Sequence, residues 1–446
     1  MLKKLILVLL VFNTSVIYAQ TFKTDVLVIG GTASGTAAAL QCAHSKVKTI
    51  LVTDATELGA FPKTGMITID ESNNVNTGTW HEFRTRVLDM EKKPKSADTI
   101  NNQLTFEPGM GASVLKSMTD TVKNLSIYLN TPFVSIKKDG DRWGVNFTQN
   151  GKTLTIKARV LIDATPNGDI AIQAGGKLPV AFDNFKDNGG LMLYRTSIAA
   201  GVAIPGQLYT DAQHPQNNYP QYPAYCIPIS TVIVRDAENI LITEKALPGE
   251  KSSDYLPIQL QLGQGVGTIA AYCAFFKTTT KNLNVRAIQG ELLDFKGYLL
   301  PFADVSQKSQ TWRAIQQVCA TGLLRGKQKV YNGHAQFLFM PDSGVTTSEI
   351  KPVLTEIYTR AFLWFNKEKP GEAFTVGNTV SLISDYTLTD PQVLQKTLQQ
   401  NWKTKYKFTL AFDTNRPVTR LEFTLLMNQF LNPFVRTVDL SGRLVN

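Results

Sequence analysis

The residues with the clearest chemical content form a glycine-rich turn, Gly30-Gly31-Thr32-Ala33-Ser34-Gly35, between an apolar run, Val26–Ile29, and an alanine-rich helical pattern, Thr36–Ala43. A helix that starts directly after a strand and a tight turn offers backbone N–H groups and the positive end of its dipole. That arrangement holds a pyrophosphate. Glycine stands at the first and last positions of the G-x-G-x-x-G register, Gly30 and Gly35. Thr32 takes the middle position, where glycine lets the backbone approach phosphate, although its hydroxyl could itself donate to one. A second apolar run, Thr49–Val52, follows at βαβ distance and ends at Thr53-Asp54. The spacing puts the ribose-binding acid of such units at Thr53, one residue before Asp54. The chemistry implied is the holding of a dinucleotide cofactor; the plain alternative is a structural βα turn.

These residues need a large fold to position them. The chain has 446 residues, 43% hydrophobic and 18% charged, which describes a folded protein of two or three domains and not a disordered one. The formal net charge is +10, but the basic residues are scattered, so a nucleic-acid partner is not expected. Residues 1–19 read as an export signal, with Lys3 and Lys4, an apolar Leu5–Phe12 core, and Ala19 before cleavage at Gln20. That core is too short for a permanent span, and no transmembrane segment is expected elsewhere. Cys42, Cys226, Cys273 and Cys319 make no C-x-x-C pair. His44, His81, His214 and His334 lack metal-ligand spacing.

Along the chain, Gly59 to about Asn102 reads as a long irregular segment, followed by a helix over Met110–Asn124 and a strand at Ser126–Leu129. Three alternating strands, Phe133–Lys137, Arg142–Thr148 and Thr153–Lys157, are joined by Asp139-Gly140 and Asn150-Gly151, both hairpin signals. A separate apolar strand, Val160–Thr165, then breaks at Pro166-Asn167-Gly168-Asp169. A further short strand, Ile240–Thr243, leads to a long helix beginning near Asp254 or Leu256, with Pro257 in its first turn and Ser253 or Asp254 as cap. Gly263, Gly265 and Gly267 inside that helix require compensation by close packing. A cofactor or strand could supply it, and so could a second helix.

With these segments in place, the chain resembles the secreted bacterial FAD-dependent oxidoreductases of the glutathione-reductase-like Rossmann superfamily. The resemblance rests on IGGTASG at Ile29–Gly35, TFEP at Thr105–Pro108, IDATPNGDIA at Ile162–Ala171 and LGQGVGTIAA at Leu262–Ala271. It implies an α/β fold: an FAD-binding Rossmann-type parallel sheet with an inserted β-meander and substrate-domain segments, plus a mainly α-helical C-terminal domain. The expected boundaries are 1–19 for the signal, 20–290 for the FAD-binding oxidoreductase domain, and 291–446 for the helical domain. Substrate segments are expected at about 60–125 and 175–235. FAD is the cofactor implied. Its expected contacts are Gly30, Gly31, Thr32, Ala33, Ser34 and Gly35 at the diphosphate, Thr53 and Asp54 at the ribose, and Ala164, Thr165 and Asp169 at the following turn. Leu256, Pro257, Gly263 and Gly265 would complete the set on the long helix. Asp169 is read either as a ribityl ligand or as a turn residue; Asp163 is read as structural. Arg195 matches an arginine the family places near substrate, with a solvated surface arginine as the other reading. Tyr194, Trp80 and His81 are weaker pocket candidates. The family's Gly-Arg after the strand at Ile240–Thr243 is Glu244-Lys245 here.

From Pro301 the pattern becomes helical. Phe339–Tyr358 and Ala411–Phe430 align at an offset of 73 residues, with Thr346 over Thr419 and Glu349 over Glu422, both read as capping boxes. This is similar to S-layer-homology repeats, with Arg420 retaining the repeat's arginine and Thr347 replacing it in the first copy. Such modules bind cell-wall polymers, so a cell-envelope polymer is a second expected partner beside a small-molecule substrate. A lid over the flavin domain is the competing reading. Two functions stand: an exported, periplasmic or extracellular FAD-dependent oxidoreductase, and a non-catalytic envelope protein on a flavoprotein scaffold.

Overall fold

Val26, Leu27 and Val28 are completely buried, and the strand they form is the axis of the molecule. The computed structural model describes residues 20–71, 76–92, 103–179, 190–202, 224–247, 255–331 and 334–445; the expected signal segment and the expected caps Ser253 and Asp254 lie outside them. In chain order the first half comprises β1 (Gln20–Ile29), α1 (Ala33–His44), β2 (Thr49–Val52), β3 (Ile67–Asp70), α2 (Gly78–Met90), β4 (Gln103–Phe106), α3 (Pro108–Asp120), β5 (Leu125–Tyr128), β6 (Phe133–Asp139), β7 (Arg142–Gln149) and β8 (Lys152–Asp163). There follow α4 (Asp169–Gln173), α5 (Leu191–Thr196), β9 (Ser197–Val202), β10 (Ala224–Pro228), β11 (Ile240–Ile242), α6 (Leu256–Phe275) and α7 (Val285–Asp294). The last part holds α8 (Trp312–Cys319), β12 (Lys327–Tyr331), β13 (His334–Leu338), α9 (Thr347–Ile357), α10 (Ala361–Glu368), α11 (Val376–Thr387), α12 (Pro391–Asn401) and α13 (Arg420–Phe430).

The main sheet runs β5-β2-β1-β8-β7-β6, with β11 also paired to β8. Strands β5, β2, β1, β8 and β11 are mutually parallel, while β7 and β6 run antiparallel. The registers Ile29↔Val52, Ile29↔Asp163 and Ile242↔Asp163 bring the parallel strands to a common C-terminal edge. Ligands of open α/β sheets bind outside that edge. The mixed α/β architecture is the one expected.

Two local expectations change. The third meander strand and the following apolar strand are one continuous strand, β8, of 12 residues. Leu154, Ile156, Ala158 and Val160 are all buried, so the alternation never breaks and no turn intervenes. One edge of β8 bonds β1 from Leu154 to Asp163; the other bonds β7 over its first half and β11 over its last three residues. Within the segment read as irregular, β3 pairs antiparallel with β4, which follows just beyond it, and α2 packs Phe83 against Phe61 and Phe106, with Trp80 stacked on Phe83. Sparse alternation in four-residue strands hid this unit.

The described residues form two apolar cores. The first surrounds the main sheet, α1 and α6. The second gathers Phe302, Trp312, Phe339, Trp364, Phe374, Trp402 and Phe423 around the C-terminal helices. The chain crosses between them: Tyr194, Ala200 and Cys226 belong to the second, and Val438 to the first. All four cysteines are buried and none forms a disulfide, and burial pushes each thiol far up, Cys273 to about 12. Among the described residues no helix is long and apolar enough to cross a membrane.

The C-terminal region contains three equivalent turns where the sequence pattern shows two. Val345 N–H donates to Val418 O at 3.0 Å, Val418 N–H to Phe374 O at 2.9 Å, and Phe374 N–H to Val345 O at 3.0 Å, closing a ring. Each of these residues precedes a threonine N-cap, Thr346, Thr375 or Thr419. The middle copy escaped detection because Asn378 stands where the others carry glutamate. The capping box is complete at Thr375 and at Thr419. At Thr346 the hydroxyl accepts Glu349 N–H, but the Glu349 carboxylate pairs with the Arg420 guanidinium instead of returning to the cap. Arg420 is fully buried and also bonds the carbonyls of Phe339 and Arg325. If the middle turn is an equal member of the ring, Thr375→Ala should lower stability by ~1 kcal/mol, close to the effect of Thr419→Ala, in chemical denaturation.

Candidate active site

The β1–α1 turn lies at the common sheet edge. Gly30 has φ +114°, a conformation side chains rarely adopt, and a Cβ there would stand 2.6 Å from Ala164 O. Gly35 is equally constrained: a Cβ would meet Gly30 O at 2.3 Å and the Ala164 methyl at 2.7 Å. Gly31 lies against the Thr53 side chain. Ala164 and Thr53 therefore act as walls of the turn, and both are buried.

Thr32, the apparent defect in the motif, has a defined job. Its hydroxyl caps α1 by accepting Gly35 N–H at 3.1 Å. The same hydroxyl lies 3.3 Å from Ser34 Oγ. The first intrahelical bond is Thr36 N–H to Thr32 O, and the amides of Ala33 and Ser34 precede it, directed out of the helix. Asp54 is exposed just past β2. A turn left partly exposed at Gly30 and Thr32, a helix N-terminus and a carboxylate beyond the next strand fit the diphosphate and ribose of a dinucleotide.

The turn after β8 is ordered from within. Asp163, buried, accepts Thr165 N–H at 2.9 Å, the Thr165 hydroxyl at 2.6 Å and Ala171 N–H at 2.8 Å. Burial pushes its carboxyl above the ordinary range, against the pull of those hydrogen bonds. Because the folded state holds that proton more tightly, this group's contribution to stability declines as pH rises from the unfolded carboxyl range through the folded value. Asp169 is exposed, its N–H bonded to Thr165 Oγ1 at 3.0 Å.

Helix α6 begins at Leu256 with Pro257 in its first turn. Its glycines meet protein. A Cβ at Gly263 would stand 2.2 Å from Ser34 O, at Gly267 2.5 Å from Ala38 O, and at Gly265 2.4 Å from Ile198 O. The expectation that Gly263 and Gly265 contact the cofactor is corrected: Gly263 and Gly267 seat α6 on α1, and Gly265 seats it on β9. Arg195 also changes role. It is 2% exposed, forms a paired ion bridge to Glu356 (2.7 and 2.6 Å), and donates to Thr321 O and Gly442 O. It joins α5 to α9 and the C-terminal turn, with no face left for substrate. Tyr194 is likewise buried, its hydroxyl accepting Gly326 N–H at 3.0 Å. Trp80 is buried in the α2 aromatic cluster, and His81 bonds Asn76 Oδ1 at 3.1 Å.

One buried acid went unassigned in the sequence. Glu244, 3% exposed, follows β11 and accepts the Ser34 hydroxyl at 2.6 Å and Gln259 Nε2 at 3.2 Å. Its departure from Gly-Arg was the signal available; its link to α1 required the fold.

Residues 25–190, which enclose the turn, both its walls and the Asp163 network, match the model of the FAD dependent oxidoreductase family. FAD is thus the cofactor, and a flavin oxidoreductase the class of enzyme, to which this segment points. No curated protein matches the chain. Solved structures similar to parts of it include the rebeccamycin biosynthetic enzyme RebC with reduced flavin, at 18% identity, TM-score 0.27, and 36% of each chain covered. THI4 of Thermovibrio ammonificans gives 12% identity and TM-score 0.34 over 60% of this chain and 95% of its own. L-proline dehydrogenase from P. horikoshii gives 13% identity and TM-score 0.30 over 62% and 60%. The chain spans about a third of the length of RebC (36%).

Gly263→Ala should lower stability by ~1–3 kcal/mol, since the obstructing atom is backbone. Asp163→Asn should lower it by a similar ~1–3 kcal/mol, because an amide cannot accept all three donors. Both are read by chemical denaturation of the flavin-free protein.

Proposed function

We propose that the protein is an FAD-dependent oxidoreductase that takes hydride from an activated C–H of a small molecule and passes the electrons to oxygen, a quinone or an envelope carrier. The observation that carries this reading is the β1–Gly30–α1 turn at the C-terminal edge of the parallel sheet, inside the segment that matches the FAD dependent oxidoreductase model. Bound FAD supplies the hydride-accepting chemistry. The chain's own residues bind and orient it: the first-turn amides of α1 hold the diphosphate, Asp54 accepts from ribose hydroxyls, and the Asp163–Thr165 network fixes the turn beside them. Arg195 has no part in catalysis on this reading; it is a brace.

Export is also proposed, supported by the Lys3-Lys4, Leu5–Phe12, Ala19 pattern. FAD would then be acquired after the chain has crossed the membrane and folded.

The scaffold reading keeps one observation in its favour, the buried Glu244 carboxylate linked to α1. Its envelope-polymer partner gains nothing from Arg420, which is fully buried among protein acceptors. Purified protein should carry or take up FAD, seen as flavin absorbance that remains with the protein on gel filtration. Asp54→Ala should weaken FAD binding by about tenfold through loss of charge-assisted hydrogen bonds. A protein that refuses FAD yet binds wall polymer would establish the scaffold instead.

A further inference from the structure

Glu244 is placed by two elements that meet α1. It stands two residues past the end of β11, and Gln259, its amide partner, lies in the first turn of α6. Ser34 is the second residue of α1, and its Oγ lies 2.6 Å from Glu244 Oε1 and 2.7 Å from Thr243 Oγ1. A hydroxyl has one proton to give. With that proton on the line to Glu244, the Thr243 hydroxyl donates to Ser34 Oγ. A carboxylate is therefore tied through one hydroxyl to the first turn of α1. The positive end of a helix dipole favours an anion there.

We propose that Glu244 is an internal anion that competes with the dinucleotide diphosphate for the N-terminus of α1 and thereby holds FAD affinity down. The proposal rests on the FAD reading above. Both groups are negative and both draw on the same helix end. Glu244 is buried, so solvent screens it poorly, and repulsion between charges at such a site is worth a factor of ten or more in affinity. The same carboxylate steadies the first turn of α1 when no dinucleotide is bound, so the flavin-free protein stays folded. FAD is then a ligand taken up by a finished fold, not one needed to build it.

The test compares full-length wild type with Glu244→Gln, each stripped of flavin, in titrations with FAD, ADP and riboflavin. Glutamine keeps the shape and the acceptor for Ser34 while removing the charge. FAD and ADP should each bind Glu244→Gln at least about tenfold more tightly than wild type. Riboflavin, which lacks phosphate, should bind both equally. The rise in melting temperature on adding FAD should be larger for the variant. Glu244→Asp, which retains the charge, should stay near the wild-type affinity. Glu244→Met, neutral and of similar length, takes the place of the glutamine variant if that one does not fold. Equal or weaker binding of FAD and ADP by the neutral variants overturns the proposal and leaves the FAD reading standing. Absence of FAD binding in wild type and neutral variants alike overturns both.

Discussion

Helix α6 can lie on α1 at backbone distance only because Gly263 and Gly267 present no side chain to Ser34 O and Ala38 O. Nearly every residue of α6 is buried, including Gln261, Gln264 and Thr268. Gln264 shows how tightly the surroundings are specified. Its amide donates to Gln41 Oε1 on α1 and to Phe295 O after α7, while its carbonyl accepts Thr79 N–H on α2. From this contact follow the positions of β9, which meets Gly265, and of Glu244, which meets Gln259. The glycines weaken the helix as a helix and are compensated by contacts no larger residue would allow.

Much of this was legible in the sequence because it is local. The β1 run, the Gly30–Gly35 turn, the hairpin signals at Asp139-Gly140 and Asn150-Gly151 and the Pro257 helix start all depend on neighbours a few residues away. What escaped depends on distant partners. Whether three glycines in a helix meet a ligand or another helix is decided by Ser34 and Ile198, more than 60 residues upstream. Arg195 has the chemistry of a substrate ligand, and only its burial against Glu356, Thr321 and Gly442 reveals a brace. The middle C-terminal turn has the right cap but the wrong spacing and an asparagine in place of glutamate, so a pattern built on two copies passed over it.

The two cores are joined by buried charge as well as by apolar packing. Arg195 and Arg286 lie side by side, and burial, with the neighbouring Arg195 charge, pushes the Arg286 guanidinium down to about 9. Arg286 donates to Arg195 O, Ala320 O and Gln289 Oε1, while Gln289 bonds Arg195 O and Ser197 O. Like charges in a dry site are tolerated because each has its own acceptors. The C-terminal helices are thereby fastened to the elements that adjoin α6, and they contribute to that half of the molecule whatever else they bind.

The four sealed thiols have a consequence for how the chain matures. In the finished fold they are neutral and out of reach of oxidant or exchange partner. During folding they are accessible and ionise in part, and four cysteines admit three pairings, none of which the native state uses. In an oxidising compartment the chain must therefore close around its sulfurs faster than they are crosslinked, a race that a dedicated isomerase or a reducing stopover would relax.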